Sequence, residues 1–166
     1  YSPYDLEAFG GIHGTGHAYM EWLVGELKPW IDAHYPTLPG RANTSIGGSS
    51  MGGLMSLYAI TAYNKTFSGA ACLSPSVRFC MEDVRREIRD AVIRRGTRVY
   101  LSWGEKESRD PHGLARYTAN ALEVCRALSA KGADVFPYLQ LDGSHCEASW
   151  AQQVPLYHEF LFGGGQ

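Results

Sequence analysis

Residues 43–60 read Asn-Thr-Ser-Ile-Gly-Gly-Ser-Ser-Met-Gly-Gly-Leu-Met-Ser-Leu-Tyr-Ala-Ile, and the order of side-chain types along this segment selects the architecture. The run from Asn43 to Gly47 predicts a short buried strand. From Met51 onward, the spacing of Leu54, Leu57, Tyr58 and Ile60 predicts a small-residue helix with those side chains inside. A strand therefore feeds a helix with almost no linker. The junction is Gly48-Ser49-Ser50-Met51-Gly52, a Gly-x-Ser-x-Gly pattern centred on Ser50 and flanked by Gly47 and Gly53. A sharp strand-to-helix turn holds its central residue at a strained backbone angle, and side chains two before and two after it would collide. Ser50 is the expected nucleophile. Ser49 has the wrong glycine spacing and is expected as a structural neighbour bordering the pocket.

Upstream, His17 to His34 sets Met20, Leu23, Val24, Leu27, Trp30 and Ile31 at steps of three and four, the pattern of a helix with one buried face. Pro29 kinks it or sharpens its last turns, and Pro36 to Gly40 forms a turn. Downstream, Ala70 to Ser74, Thr97 to Trp103 and Val135 to Leu141 read as strands. Met81 to Val92, Leu114 to Ala130 and Glu147 to Leu161 read as helices, the last bent at Pro155. Four strands and five helices in this alternation predict an α/β domain, a parallel sheet covered on both faces by helices. No internal repeat or low-complexity linker divides it, so one compact unit is expected.

The chain has 166 residues, 45% apolar and 19% charged, which fits an ordinary globular domain and excludes a mainly disordered chain or a coiled coil. Fifteen basic residues against seventeen acidic ones give a net charge of -2, with no compact basic run to suggest nucleic acid. The arginines at 85, 86, 89, 94, 95 and 98 are interleaved with acids and read as a solvated helix face. No run of eighteen apolar residues predicts a membrane span, and the first twenty residues lack a basic segment followed by an apolar one. A soluble chain, cytoplasmic by default, is expected, although a removed targeting segment leaves no trace. Cys72, Cys80, Cys125 and Cys146 form no Cys-x-x-Cys pair and read as reduced structural thiols. The six histidines form no metal-binding spacing, so no metal and no cofactor is implied.

A serine hydroxyl needs a base to take its proton, and the base needs an acceptor on its other ring nitrogen. In a hydrolase sheet these partners follow later strands in the order serine, acid, histidine. His145, in Asp142-Gly143-Ser144-His145 just past the strand ending at Leu141, fits the base. The loop after Trp103 supplies the acid from among Glu107, Asp110 and Glu105, with Glu107 preferred and Asp110 as its alternative.

The segment Gly47 to Gly53, the strand end Tyr100-Leu101-Ser102-Trp103-Gly104 with Glu107, and Gly143-Ser144-His145-Cys146-Glu147-Ala148-Ser149-Trp150 resemble the putative esterase family of the α/β hydrolases. That family includes enterochelin-esterase-like, feruloyl and acetylxylan esterases and the esterase D group. The Leu23 to Tyr35 segment resembles the helix before its nucleophile strand, and the likeness covers nearly the whole chain in the family's order. The resemblance implies an acyl-enzyme on Ser50, with His145 as base and then acid, Glu107 orienting His145, and the Met51 backbone N–H as one oxyanion donor. Many relatives carry aspartate where Glu107 stands. Trp103, Glu147 and Trp150 are candidates for the border of the acyl pocket, with core or surface packing as the preferred reading of each taken singly. His13-Gly14 is expected only as a loop bordering the pocket.

The resemblance also implies that residues 1–166 are the carboxyl-terminal part of a single α/β-hydrolase catalytic domain, lacking N-terminal strands and the second oxyanion donor. A second polypeptide or a dimer partner would then complete the sheet. The expected substrate is a small-molecule or carbohydrate-linked carboxylic ester. Thioester or peptide substrates of the same triad, and a non-catalytic interaction module derived from this fold, are the alternatives.

Overall fold

The computed structural model describes residues 2–6, 10–108 and 110–163. Among these, four parallel strands lie side by side in chain order: β1 (Ser45–Ser49), β2 (Gly69–Leu73), β3 (Arg98–Gly104) and β4 (Asp134–Gln140). Ser45 pairs with Gly69, Gly69 with Arg98 and Arg98 with Asp134, so the carboxyl ends of all four strands open on one side of the sheet. The first strand starts two residues later than expected, because Arg41–Asn43 closes a 3-10 turn and the extended run continues to the residue before Ser50.

The helices are α1 (Gly16–Trp22), α2 (Lys28–His34), α3 (Met51–Ala62), α4 (Met81–Asp90), α5 (Pro111–Ala130), α6 (Glu147–Ala151) and α7 (Val154–Phe162). Between α1 and α2, Leu23–Leu27 forms a π-helical turn. Pro29 cannot donate to a carbonyl four residues back, and the wider turn before it absorbs that loss without ending the helix. The expected single terminal helix is instead two. Its break falls at Gln152 and Gln153, and Pro155 lies in the first turn of α7, where a missing N–H costs nothing. Gln153 is buried at the break, its Nε2 donating to Gln140 Oε1 at 2.7 Å while Tyr100 donates to its Oε1 at 3.1 Å.

Side-chain alternation along β3 divides the two layers. Val99, Leu101 and Trp103 enter the large core beneath α1, α3, α4 and α5, whereas Tyr100 enters a smaller aromatic cluster with Tyr138, Tyr157 and Phe160 beneath α7. Leu54, Ile60 and Leu101 are fully enclosed, and each such side chain contributes about 1.5–3 kcal/mol through removal from water. β2 is buried throughout, as befits an interior parallel strand. β1 is only half-buried, with strand pairing on one side alone. Beside its other edge runs a cleft of about 530 Å³ bordered by Tyr19, Leu23 and Met55. At the opposite edge, β4 accommodates Pro137, as an edge strand can.

On α4, Arg85 pairs with Glu82 and Glu123, and Arg86 pairs with Asp83. Those arginines belong to a charged helix face. The four cysteines are unpaired. Among the described residues, no helix is long and apolar enough to cross a membrane.

Candidate active site

Ser50 stands between the end of β1 and the first residue of α3 with φ 56 and ψ -117, a backbone region that non-glycine residues avoid. Two anchors hold it there: its N–H donates to Leu73 O at 2.9 Å, and its carbonyl accepts from Ser76 N–H at 3.1 Å. The glycine requirement is steric. A Cβ on Gly48 would lie 2.7 Å from the Gly52 carbonyl carbon, and one on Gly53 would lie 2.8 Å from Leu73 O. Immediately after Ser50, Met51 opens α3, so its N–H has no acceptor within the helix and borders the cleft that contains Ser50.

His145 arrives on the loop between β4 and α6. Its Nε2 lies 2.8 Å from Ser50 Oγ, and its Nδ1 lies 2.9 Å from Glu107 Oε2. The Glu107 side chain is only 3% exposed against 40% for His145, so the acid is inside and the base faces solvent. Burial pushes the Glu107 carboxyl up, but hydrogen bonds from His145, Ser74 and the Gly104 N–H outweigh it and hold the carboxyl below its usual range. An ionised carboxylate can only accept, so Nδ1 carries the ring proton and Nε2 is left to accept from the Ser50 hydroxyl.

The reach of Glu107 follows from its local fold. It is the third residue of the 3-10 turn Glu105–Glu107, and its Oε1 folds back to accept from Gly104 N–H at 2.7 Å, the acid's half of a capping box, since Gly104 has no side chain to return a bond. The same oxygen accepts from Ser74 Oγ at 2.5 Å. Ser74 is held in place by the indole N–H of Trp150, which donates to its hydroxyl at 2.8 Å. Trp150 also meets the His145 ring edge to face, with centroids 4.9 Å apart.

The two loops that carry acid and base are in backbone contact. Lys106 N–H donates to Gly143 O at 2.8 Å, and a Cβ on Gly104 would collide with that oxygen. Glu105, the third acid considered, accepts from Asp142 N–H at 2.9 Å and so secures the same junction. Asp110, the alternative acid, is taken up elsewhere: its side chain caps α5 by accepting from Gly113 N–H at 2.7 Å.

The pocket expectations fare differently. Trp103 shares the parity of Val99 and Leu101 and points into the core, where its indole N–H donates to Thr118 Oγ1 at 3.0 Å. Trp150 lies behind His145 rather than in the cleft, and Glu147 is exposed in the first turn of α6. Ser49 borders the cleft beside β1, away from His145. His13 is exposed beside Asp5. The cleft that does contain Ser50 and His145 has about 390 Å³ and is also bordered by Ser76, Arg78, Phe79 and Tyr117, which sequence spacing did not single out. Ser76 Oγ lies 3.4 Å from Ser50 Oγ, and burial raises the Tyr117 hydroxyl with the Glu107 charge adding to the rise.

Chemically, the arrangement pairs a hydroxyl with a neutral imidazole nitrogen, supports the imidazole with a buried carboxylate, and presents a free backbone N–H beside the hydroxyl. That combination can take a proton from Ser50 while stabilising the imidazolium that results.

Comparison with known proteins agrees with this architecture. A protein described as uncharacterized protein YbbA of Bacillus subtilis (strain 168) is 26% identical over 128 residues, 76% of this chain and 50% of that protein. The BES protein from Bacillus cereus superposes with a TM-score of 0.77 at 18% identity, covering 96% of this chain and 61% of the other. Enterochelin esterase from Shigella flexneri superposes with a TM-score of 0.67 at 21% identity, covering 85% and 36% respectively. The chain thus spans about half the length of its Bacillus subtilis relative, and the likeness to the solved structures is one of fold, the α/β-hydrolase type. The model of the family described as Putative esterase matches residues 1–161, nearly the whole chain, and the chain therefore belongs to the Putative esterase family.

Proposed function

We propose that this chain carries the catalytic residues of a serine esterase that hydrolyses a carboxylic ester through an acyl-enzyme. The observation that carries the proposal is the continuous hydrogen-bonded series Ser50–His145–Glu107, with the serine on a strained elbow. Ser50 attacks the ester carbonyl as His145 Nε2 takes its proton, and the Met51 N–H stabilises the oxyanion. His145 then returns the proton to the departing alcohol. Water, activated by the same nitrogen, releases the acid and regenerates Ser50. Glu107 keeps the proton on Nδ1 and stabilises the charged ring.

The sheet arrangement supports a second part of the proposal. Among the described residues β1 has an unpaired edge, and an unpaired edge beside apolar side chains favours a further strand. These elements form the carboxyl-terminal part of one hydrolase domain, and the further strand, with the loop donating the second oxyanion hydrogen bond, comes from the same protein or from a partner polypeptide. The substrate class is a small-molecule or carbohydrate-linked ester.

Turnover of p-nitrophenyl butyrate tests the reading. The wild-type protein should hydrolyse it, and Ser50→Ala should lose at least about a thousandfold in kcat. Equal rates in the two proteins would refute the role of Ser50. Turnover of a short peptide or a thioester by wild type as fast as that of the ester, and lost in Ser50→Ala, would instead favour the alternative acyl substrates.

A further inference from the structure

We propose that Arg78 forms an anion subsite beside Ser50 that selects esters carrying a carboxylate; the proposal rests on the esterase reading and names a substrate class within it. Arg78 lies in the 3-10 turn Val77–Phe79, just beyond the carboxyl end of β2. That turn is tied to the elbow: Ser76 N–H donates to Ser50 O at 3.1 Å, and Val77 is buried as its apolar anchor. The backbone that carries Arg78 is therefore fixed beside the nucleophile, and Arg78 borders the same 390 Å³ cleft as Ser50, Met51 and His145.

Its immediate setting is aromatic. The Arg78 Cζ sits 4.4 Å from the centroid of Phe79 and 5.9 Å from that of Tyr117. Stacking on a ring orients a planar guanidinium and leaves its N–H edges available, with less ordering left to lose when a ligand binds. The side chain is exposed, and among the described residues no carboxylate lies within ion-pair distance of it.

Nearby acids are otherwise engaged. Arg78 also borders a second cleft that contains Asp5, Glu82 and Asp83. Asp5 accepts from Gly14 N–H and faces His13, Glu82 pairs with Arg85, and Asp83 pairs with Arg86. Glu107, the one acid among the described residues that borders the nucleophile cleft, is buried and already accepts from three donors. A cation set over an aromatic ring at the rim of a small cleft, with no carboxylate partner among the described residues, matches a planar carboxylate, which a guanidinium binds through two parallel hydrogen bonds. A substrate without that group leaves the cation paired only with water, so the cleft discriminates in favour of the anion.

The test compares ethyl hemisuccinate with ethyl butyrate, two esters of similar length that differ in a terminal carboxylate, with acid release followed in a pH-stat. The quantity read is the ratio of their kcat/KM values. In wild type the ratio should favour hemisuccinate and fall as salt is added; in Arg78→Gln it should drop about tenfold, and Arg78→Lys should restore part of it. A ratio that moves less than twofold in Arg78→Gln, while butyrate is still hydrolysed by wild type, overturns the subsite and leaves the esterase reading intact.

If wild type hydrolyses neither ester, it is the esterase reading that fails. The subsite is then decided without turnover, by calorimetric titration of monomethyl succinate into Ser50→Ala protein with and without Arg78→Gln. About tenfold weaker binding in the double variant supports the subsite, and equal binding, or none in either protein, removes it.

Discussion

Trp150 and Ser74 lie 76 residues apart in the chain, yet the indole N–H of the first donates to the hydroxyl of the second at 2.8 Å. Ser74 passes its own proton toward Glu107 Oε1 at 2.5 Å, and the other oxygen of Glu107 meets His145. An element of the opposite layer thereby sets the position of the acid. Ser74 holds φ 46, and a residue is kept in that region only where its surroundings fix it.

Ser74→Ala and Trp150→Phe should therefore behave as losses of positioning. Each is expected to lower kcat on p-nitrophenyl butyrate about tenfold with KM nearly unchanged. A change confined to melting temperature, with kcat intact, would assign both residues to stability alone.

Glu107 has a pH signature of known sign. Its folded carboxyl lies below the unfolded value, so its contribution to stability is present above the ordinary carboxylate range and is lost as pH falls toward the folded value. The gap in melting temperature between wild type and Glu107→Gln should be constant above about pH 5.5 and narrow below about pH 4.3. A gap that widens on acidification would contradict the hydrogen-bond account of the site.

The strain at Ser50 predicts a trade between function and stability. Glycine adopts φ 56 freely, and release of the strain, roughly 1–3 kcal/mol, outweighs the added entropy of the unfolded chain, roughly 0.5–1 kcal/mol. Ser50→Gly should lose hydrolysis and melt about 2–4 °C higher than wild type. An unchanged or lower melting temperature would show that the elbow stores no strain at this residue.

Gly48 gives the opposite outcome. An alanine there would press its Cβ to 2.7 Å from backbone of Gly52 rather than against a mobile side chain, so the turn itself must open. Gly48→Ala should cost about 2 kcal/mol or more in chemical denaturation and abolish hydrolysis. Full stability would mean that β1 and α3 can separate at little cost.

Much of this was legible in the sequence because its signals are local. The elbow needs glycines at fixed offsets from Ser50, and each interior strand is a short apolar run bounded by turn residues. Asp110 carried a local signal as well: an acid followed directly by Pro111 marks a helix start, which explains why it caps α5 instead of meeting His145. Trp103 was also decidable by parity, since it alternates in phase with Val99 and Leu101. Ser74, Ser76 and Arg78 were not legible, because their importance arises from the folding of the segment after β2 against the elbow, a long-range contact with no period. Glu107 was already preferred over Glu105, and the folded loop separates their roles, one carboxylate meeting His145 and the other accepting from Asp142 N–H.

The central claim is that Ser50 is the nucleophile, and covalent labelling reads it directly. Folded wild-type protein treated with a fluorophosphonate, digested and sequenced by mass spectrometry should carry one adduct on Ser50, and Ser50→Ala should carry none. An adduct on any other serine, or no adduct in protein that melts cooperatively, would contradict the account.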